Sequence, residues 1–587
     1  MLTRFVTYHY FLGLKNLTII DNCVRNIQIT CPDFDIEKVD ENDELTFKLF
    51  GKGKTNGIFQ FESDGMKRVI KELRPQSIED LTAVTSLYRP GPSQSIPEYI
   101  KNKHNPGEIK YATELLRPIL EVTYGCLVYQ EQVMQVFRTL AGYSFARADI
   151  VRRAMSKKKH DVLQKERETF ISGCLEKGIS TAVASDLFEK ISAFSSYAFN
   201  KAHAVCYATV AYRNGYLKAH FPKEYMAALM TSVLDTPAKI QMYISECSSM
   251  GIDVFAPDIN RGRYNFSADD GGINFGLAAI KNISASVIDT AVQLRERDGN
   301  FLSLVDFCER MRGKGINRKT VECLIKSGCF DKLGATRKEM ISSLDKILAE
   351  LSENGRREIS GQIGFFDLAE IEAPKIVIEK LGEYDKAELA QMEREALGFC
   401  VTNNPLLELR EVAKRYGCLT AEKIAECSDG DEIKLIGIVE SIKKKQTKKG
   451  EMMEFVSVET FGGNINLIIF PKVLNFIFNK VNVGQALLIF GKASVKDDDT
   501  VEVVVNDAKT MTANNSKSIY IKLKSKTDEN LEKVIKLIHS SIGENDVYFC
   551  FADAKSTLKY KKTQVKLNED FTKQLTDILG DQSFIIK

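Results

Sequence analysis

At Glu432 the hydrophobic period of this 587-residue chain changes from about 3.6 to 2. Before that point, stretches such as TFKLF, GMKRVIKEL, EDLTAVTSL, YQEQVMQVFRTLAGY and TAVASDLFEKISAF space their apolar residues three to four apart, which lines one face of a helix. After it, IKLIGIVESI, MEFVSVETF, NINLIIF, QALLIFGKAS and TVEVVVNDA alternate, as half-buried strands do. Two periods in separate blocks call for separate cores, and the length itself predicts roughly three to five units.

Five short strands with a helical insert, PKVLNFIFNKV, after the third match an OB-fold barrel. The tail from residue 518 reads β-α-β-β-α through SIYIKL, NLEKVIKLIHSSI, DVYFCF, KKTQVKL and FTKQLTDILG, a small α/β unit. Upstream, residues 44–248 form one large helical region punctuated by Pro90-Gly91-Pro92 and Pro106-Gly107. Residues 255–352 hold two short helical modules, after GGINFGLAAIKNIS and at NRKTVECLIKSGCFDKLG. GQIGFFDL, a polar linker with Pro374 and the helical EREALGFCVTNNPL follow. At the start, HYFLGLKNLTIID predicts a helix from Leu12 to Asp21, a core element with nothing before it to pack against.

Composition narrows the function classes. No apolar run approaches the ~18 to 20 residues that span a bilayer, so no membrane partner is expected. Residues 1–14 imitate a secretory leader only weakly, because His9, Lys15 and Asn16 break the apolar stretch. The thirteen cysteines contain no CxxC pair and the six histidines are dispersed, which argues against zinc and for a reducing, cytoplasmic setting. A net charge of +2 conceals local basic runs and leaves a nucleic-acid partner open.

Five stretches carry candidate chemistry. ADIVRRAMSKKKH packs Arg152, Arg153, Lys157, Lys158 and Lys159 together, suited to a polyphosphate, with a solvated charged face as the alternative. YAFNKAHAVCYA sets Asn200, Lys201 and His203 at the opening of a buried helix, where ligand contact and plain helix capping compete. SLYRPGPSQS places Arg89 on a turn preset by prolines, with a purely structural turn as the equal alternative. KKKQTKKG puts Lys443, Lys444, Lys445, Lys448 and Lys449 in the loop between the first two barrel strands, where they would follow a nucleic-acid backbone, with a merely solvated loop as the alternative. Asp33 and Asp35 in CPDFDIEK have the spacing of a metal-binding pair on a strand, although acid-rich turns share that pattern.

Taken in order, FLGLKNLTIID, TNGIFQFESDGM, LYRPGP, TYGCLVYQEQVMQ, RRAMSKKK, YAFNKAHAVCYA, YLKAHFPKEYMAALM, PDINRGRYNF and EREALGF resemble the bacterial DNA polymerase III alpha subunit family of replicative polymerases. The resemblance implies a palm remnant with an atypical leader at 1–30, fingers at 31–255 and tandem helix-hairpin-helix modules at 256–352. It further implies a clamp-binding motif and linker at 353–430, an OB-fold at 431–512 and a small α/β domain at 513–587. The fold class is thus multidomain: mainly α fingers and helix-hairpin-helix region, then a β-barrel and an α/β tail.

By the same resemblance, Arg152 and Arg153 contact the triphosphate of an incoming dNTP, with Arg89, Asn200, Lys201 and His203 near that pocket. GQIGFFDL looks like an internal sliding-clamp motif, anchored by Gln362, Phe365 and Phe366. Primer-template DNA, single-stranded template, the beta clamp, a clamp-loader tau subunit and a proofreading exonuclease are the implied partners. Mg²⁺ is the implied cofactor of the complete enzyme, with its ligands outside this chain.

Two departures stand out. Where the family pattern carries a lysine and a metal-binding aspartate, this sequence has Tyr8 and Tyr10. Asp33 and Asp35 follow that point, whereas the catalytic pair precedes it, so neither is a catalytic residue. The expectation is a polymerase part that is inactive alone; the alternative is a non-catalytic DNA- and clamp-binding scaffold or a decaying gene fragment. The first helix-hairpin-helix turn carries Asn282, Ile283 and Ser284 where glycines are usual, which weakens its expected grip on DNA.

Overall fold

The computed structural model describes residues 13–156, 160–195, 197–359, 378–402, 404–447, 450–477, 481–496, 500–511, 519–525, 527–541, 545–553, 556–560, 563, 565–580 and 583–586. The opening helix is Lys15–Gln28, displaced from the expected Leu12 to Asp21 because its apolar stripe runs on. Ile19, Ile20, Cys23 and Ile27 are buried and share a core with Tyr225, Met226, Phe266 and Phe275. Asp35 does not sit on a strand beside Asp33. Its carboxylate accepts from the Glu37 backbone at 3.0 Å and opens a single helical turn, Ile36–Lys38.

Two further cores build the large helical region. One gathers Phe47, Phe50, Phe61, Ile70, Tyr99, Tyr129 and Tyr212; the other gathers Val133, Phe137, Val151, Met155, Phe170 and Phe188. The helix Gln130–Ala141 begins against the first core at Tyr129 and buries Val133, Val136 and Phe137 in the second. Its N-terminus therefore lies at the seam between them.

The next region strings together the helices Ala285–Asp298, Leu304–Arg310, Arg318–Lys326 and Arg337–Ile359. Asn282 takes the left-handed conformation (φ +61°) that glycine usually supplies, and Ser284 caps the helix behind it. The atypical turn thus keeps a left-handed residue without glycine. EREALGF lies within and just beyond the helix Lys386–Leu397, and its Glu393 is fully buried. Glu393 accepts from Arg337 at 3.2 Å and from the Val401 and Thr402 backbone at 2.7 and 3.0 Å, locking this helix to the preceding region.

The β part closes as expected. Strands β1 (Glu432–Gln446), β2 (Met452–Thr460), β3 (Gly463–Ile469), β4 (Ala486–Val495) and β5 (Val501–Thr510) form a barrel in the order β1-β2-β3-β5-β4, with only β3 and β5 parallel. The helix Pro471–Ile477, between β3 and β4, sends Leu474 and Ile477 into the barrel core. In the tail, β6 (Ile519–Leu523), β7 (Val547–Phe551), β8 (Ser556–Lys559) and β9 (Phe584–Ile586) make one sheet in the order β8-β7-β6-β9. Residues 556–559 form a strand that the sequence reading missed and pair with β7; of KKTQVKL, residues 561, 562 and 564 lie outside the described residues, and Val565 makes an isolated antiparallel bridge with Asn545. The fourth strand, β9, is too short to carry a readable alternation.

Candidate functional site

A short parallel bridge at the seam sets the site. Tyr129 and Phe199 pair, with Gln130 N donating to Phe199 O at 2.9 Å and Phe199 N to Val128 O at 3.2 Å. Each segment then turns into a helix, Gln130–Ala141 on one side and Lys201–His220 on the other. Two helix N-termini are thereby brought side by side, each an end that favours negative charge. Glu131 answers that field from within: Oε1 accepts from Asn200 Nδ2 at 3.0 Å and Oε2 from the Lys201 backbone at 3.0 Å.

Asn200 is the N-cap of its helix, accepting from His203 N at 2.9 Å, so the capping reading and a place at the site coexist in one residue. Lys201 Nζ reaches Glu79 at 3.1 Å and lies 5.4 Å from the centre of the Tyr129 ring. His203 is exposed, its ring 4.4 Å from that of Tyr207 and 5.6 Å from that of Phe199. Arg89 lies 4.4 Å over Phe199, donates from Nε to Ser86 O at 2.7 Å and from Nη2 to Tyr197 O. Burial lowers its proton affinity. Gly91 at φ +102° lets this turn close, since a Cβ there would come 2.5 Å from the Tyr197 ring.

The basic helix Phe145–Ser156 buries Ala148, Val151 and Met155, a spacing that leaves Asp149, Arg152 and Arg153 off the core side. Arg152 donates from Nη1 to Gln130 Oε1 at 3.0 Å, which ties this helix to the bridge. Its Nε and Nη2 reach Asp149 Oδ1 at 3.1 and 2.8 Å, and Arg153 Nη2 reaches Asp149 Oδ2 at 2.7 Å. The hydrogen bonds from Arg152 are the main reason the Asp149 carboxyl sits below its ordinary range. Arg152 is 16% exposed and Arg153 67%.

The structure therefore links Arg89, Arg152, Asn200, Lys201 and His203 around the 129/199 bridge, with Arg153 joined through Asp149. Guanidinium groups, an ammonium and two helix N-termini together suit an anion with several phosphates. Gln130 and Glu131, the residues that hold the arrangement, lie some seventy positions from Asn200 and escaped the sequence reading. The Asp149–Arg152 spacing of three was the one local signal available.

The lysine loop needs correction. Lys443, Lys444 and Lys445 are not in the loop but on β1, opposite Phe455, Glu454 and Met453. Strand alternation sends Lys443 and Lys445 to one face and Lys444 to the other, where it meets Glu454 at 3.8 Å. A run of polar residues hides the end of a strand, because it offers no apolar partner to alternate with. Tyr10, Lys157, Lys158, Lys159, Gln362, Phe365, Phe366, Lys448 and Lys449 lie outside the described residues. Among the described residues no group of three His, Cys, Asp or Glu side chains could hold a metal ion, and no helix is long and apolar enough to cross a membrane.

The family model of the bacterial DNA polymerase III alpha subunit finger domain matches residues 16–178, and a helix-hairpin-helix motif matches residues 251–340. The DNA polymerase III subunit alpha of Borreliella burgdorferi is 36% identical over 568 residues, covering 94% of this chain and 49% of the relative. That of Bacillus subtilis is 34% identical over 592 residues, covering 98% and 52%. That of Thermus aquaticus is 36% identical over 510 residues, covering 85% and 41%. The chain spans about half the length of these relatives, and it belongs to the bacterial DNA polymerase III alpha subunit family.

Proposed function

We propose that this chain serves DNA replication as the part of a DNA-directed DNA polymerase that binds the incoming dNTP and tracks DNA. The observation that carries the reading is the convergence of Arg152, Arg89 and Lys201 on the bridge between residues 129 and 199. Arg152, oriented by Gln130, is the principal phosphate contact; Arg153, more exposed, adds charge; Lys201 and Arg89 line the approach beside the paired helix ends. Mg²⁺ bound in the complete enzyme would supply activation of the primer hydroxyl and charge neutralisation at the leaving pyrophosphate. The role proposed for the described residues is to bind and position the nucleotide.

The barrel lysines and the helix-hairpin-helix turns are proposed to follow primer-template and single-stranded DNA, and Gln362, Phe365 and Phe366 to seat a sliding clamp. The reading is tested by titrating the 587-residue chain with dATP. Arg152→Ala should weaken binding at least tenfold, whereas equal affinity in the variant contradicts the site.

A further inference from the structure

Arg152 and Arg153 both rest on one carboxylate. Asp149 Oδ1 takes Nε and Nη2 of Arg152, and Oδ2 takes Nη2 of Arg153. That is the side-on face a guanidinium offers to a phosphate. The remaining contact of Arg152, from Nη1 to Gln130, is with a neutral amide and survives if Asp149 leaves.

We propose that Asp149 holds the place of a phosphate: it occupies both arginines in the free protein and is displaced by the triphosphate of an incoming nucleotide. The proposal rests on the reading of this helix as the triphosphate contact, and adds to it a residue that sets the affinity an anion needs to bind. One carboxylate against two guanidiniums leaves a single net positive charge. A ligand with several negative charges outcompetes it, and a weakly charged anion does not.

The geometry makes the exchange easy. Asp149 stands three and four residues before its partners on one helix, so a side-chain rotation releases them without backbone motion. The Arg153 arm is solvent-exposed and weakly held; the Arg152 arm, with both partners at least three-quarters covered, sets the threshold. Gln130 keeps Arg152 aimed throughout, so the guanidinium is organised before the ligand arrives.

An ordinary helix-stabilising role for Asp149 predicts the opposite effect of its removal, which makes the two separable. The full chain, Asp149→Asn, Asp149→Glu and Arg152→Ala are titrated with dATP, inorganic tripolyphosphate and inorganic phosphate, with thermal unfolding of each as a check on folding. Asp149→Asn should bind tripolyphosphate and inorganic phosphate each about tenfold tighter, because displacing the carboxylate costs every anion the same. Asp149→Glu should behave as the native chain. Equal or weaker binding by Asp149→Asn, while the native chain keeps its Arg152-dependent affinity, overturns the placeholder and leaves the nucleotide reading intact. Arg152-independent binding, or none, in every protein overturns both. Should Asp149→Asn fail to fold, Asp149→Ser is read by the same criteria, and loss of the fold in both overturns the placeholder in favour of a structural role.

Discussion

Glu131 and Lys201 are joined where two helices begin: the Glu131 Oε2 accepts from the Lys201 backbone at 3.0 Å while its other oxygen accepts from Asn200. One carboxylate thus answers a donor at a helix N-terminus seventy residues away and fixes how the two helices meet.

Removing it has a local cost. Glu131→Ala should speed amide hydrogen exchange in residues 200–204 about tenfold, equivalent to ~1.4 kcal/mol, while distant helices keep their protection. Exchange mass spectrometry reads this directly, and unaltered protection would show that the contact is incidental.

Lys218 and Glu246 form a buried ion pair at 2.7 Å, with side chains 0% and 7% exposed. The Lys218 ammonium also donates to the Lys54 and Asn56 carbonyls at 3.0 and 2.8 Å, so three acceptors match its three donors. Burial works against the charge on each group. For Glu246 the Lys218 charge and the hydrogen bonds from Lys218 and Asn56 win, holding its carboxyl below the ordinary range. Lys218→Met should destabilise the helical region around it by about 3–5 kcal/mol, and adding Glu246→Leu should recover most of that. A double variant no better than the single one would contradict the pairing.

The same pair sets a pH dependence. A depressed folded-state pKa means that the unfolded chain binds the proton more readily, so stability rises with pH across that window. The Glu246 contribution is full above the ordinary glutamate range and is lost as pH falls through its lowered value. An acid unfolding series should show this loss in the native chain and its absence in Glu246→Gln. Parallel curves would rule it out.

At Asn282 the backbone demands φ +61°, a conformation costly for most side chains. Asn282→Gly should keep the stability of the helix-hairpin-helix region, and Asn282→Ala should be about 1 kcal/mol less stable than the glycine variant. Denaturant midpoints for the two variants decide the matter; equal midpoints would mean the turn relaxes.

On β1, Lys443 and Lys445 share a face and Lys444 has an acidic neighbour. Neutralising Lys443 and Lys445 together should reduce the salt slope of single-stranded DNA binding by about 1.4, at about 0.7 per phosphate contact. Lys444→Gln should change it less. The opposite ranking would place the DNA on the other face.

The sequence carried the architecture well where a backbone period recorded it. The alternation after Glu432 gave the barrel strands and the insert after the third, because a half-buried strand must alternate. It failed where no period exists: Lys443, Lys444 and Lys445 extend β1 without an apolar signal, and residues 584–586 are too few to show one. At the site, the cations were legible as residue types, and Asp149 as their neighbour on the helix. Gln130 and Glu131 were not, because their contacts to Arg152, Asn200 and Lys201 depend on the bridge between residues 129 and 199, which only the fold creates.

The central claim, that the seam around this bridge holds the nucleotide's phosphates, is most directly tested by photo-cross-linking. A dATP analogue with an aryl azide on its γ-phosphate is bound to the full chain, irradiated and mapped by peptide mass spectrometry. The label should fall in residues 145–156 and 197–207, be competed away by unlabelled dATP, and disappear in Arg152→Ala. Competable labelling confined to the barrel or the tail, or unchanged in that variant, would contradict it.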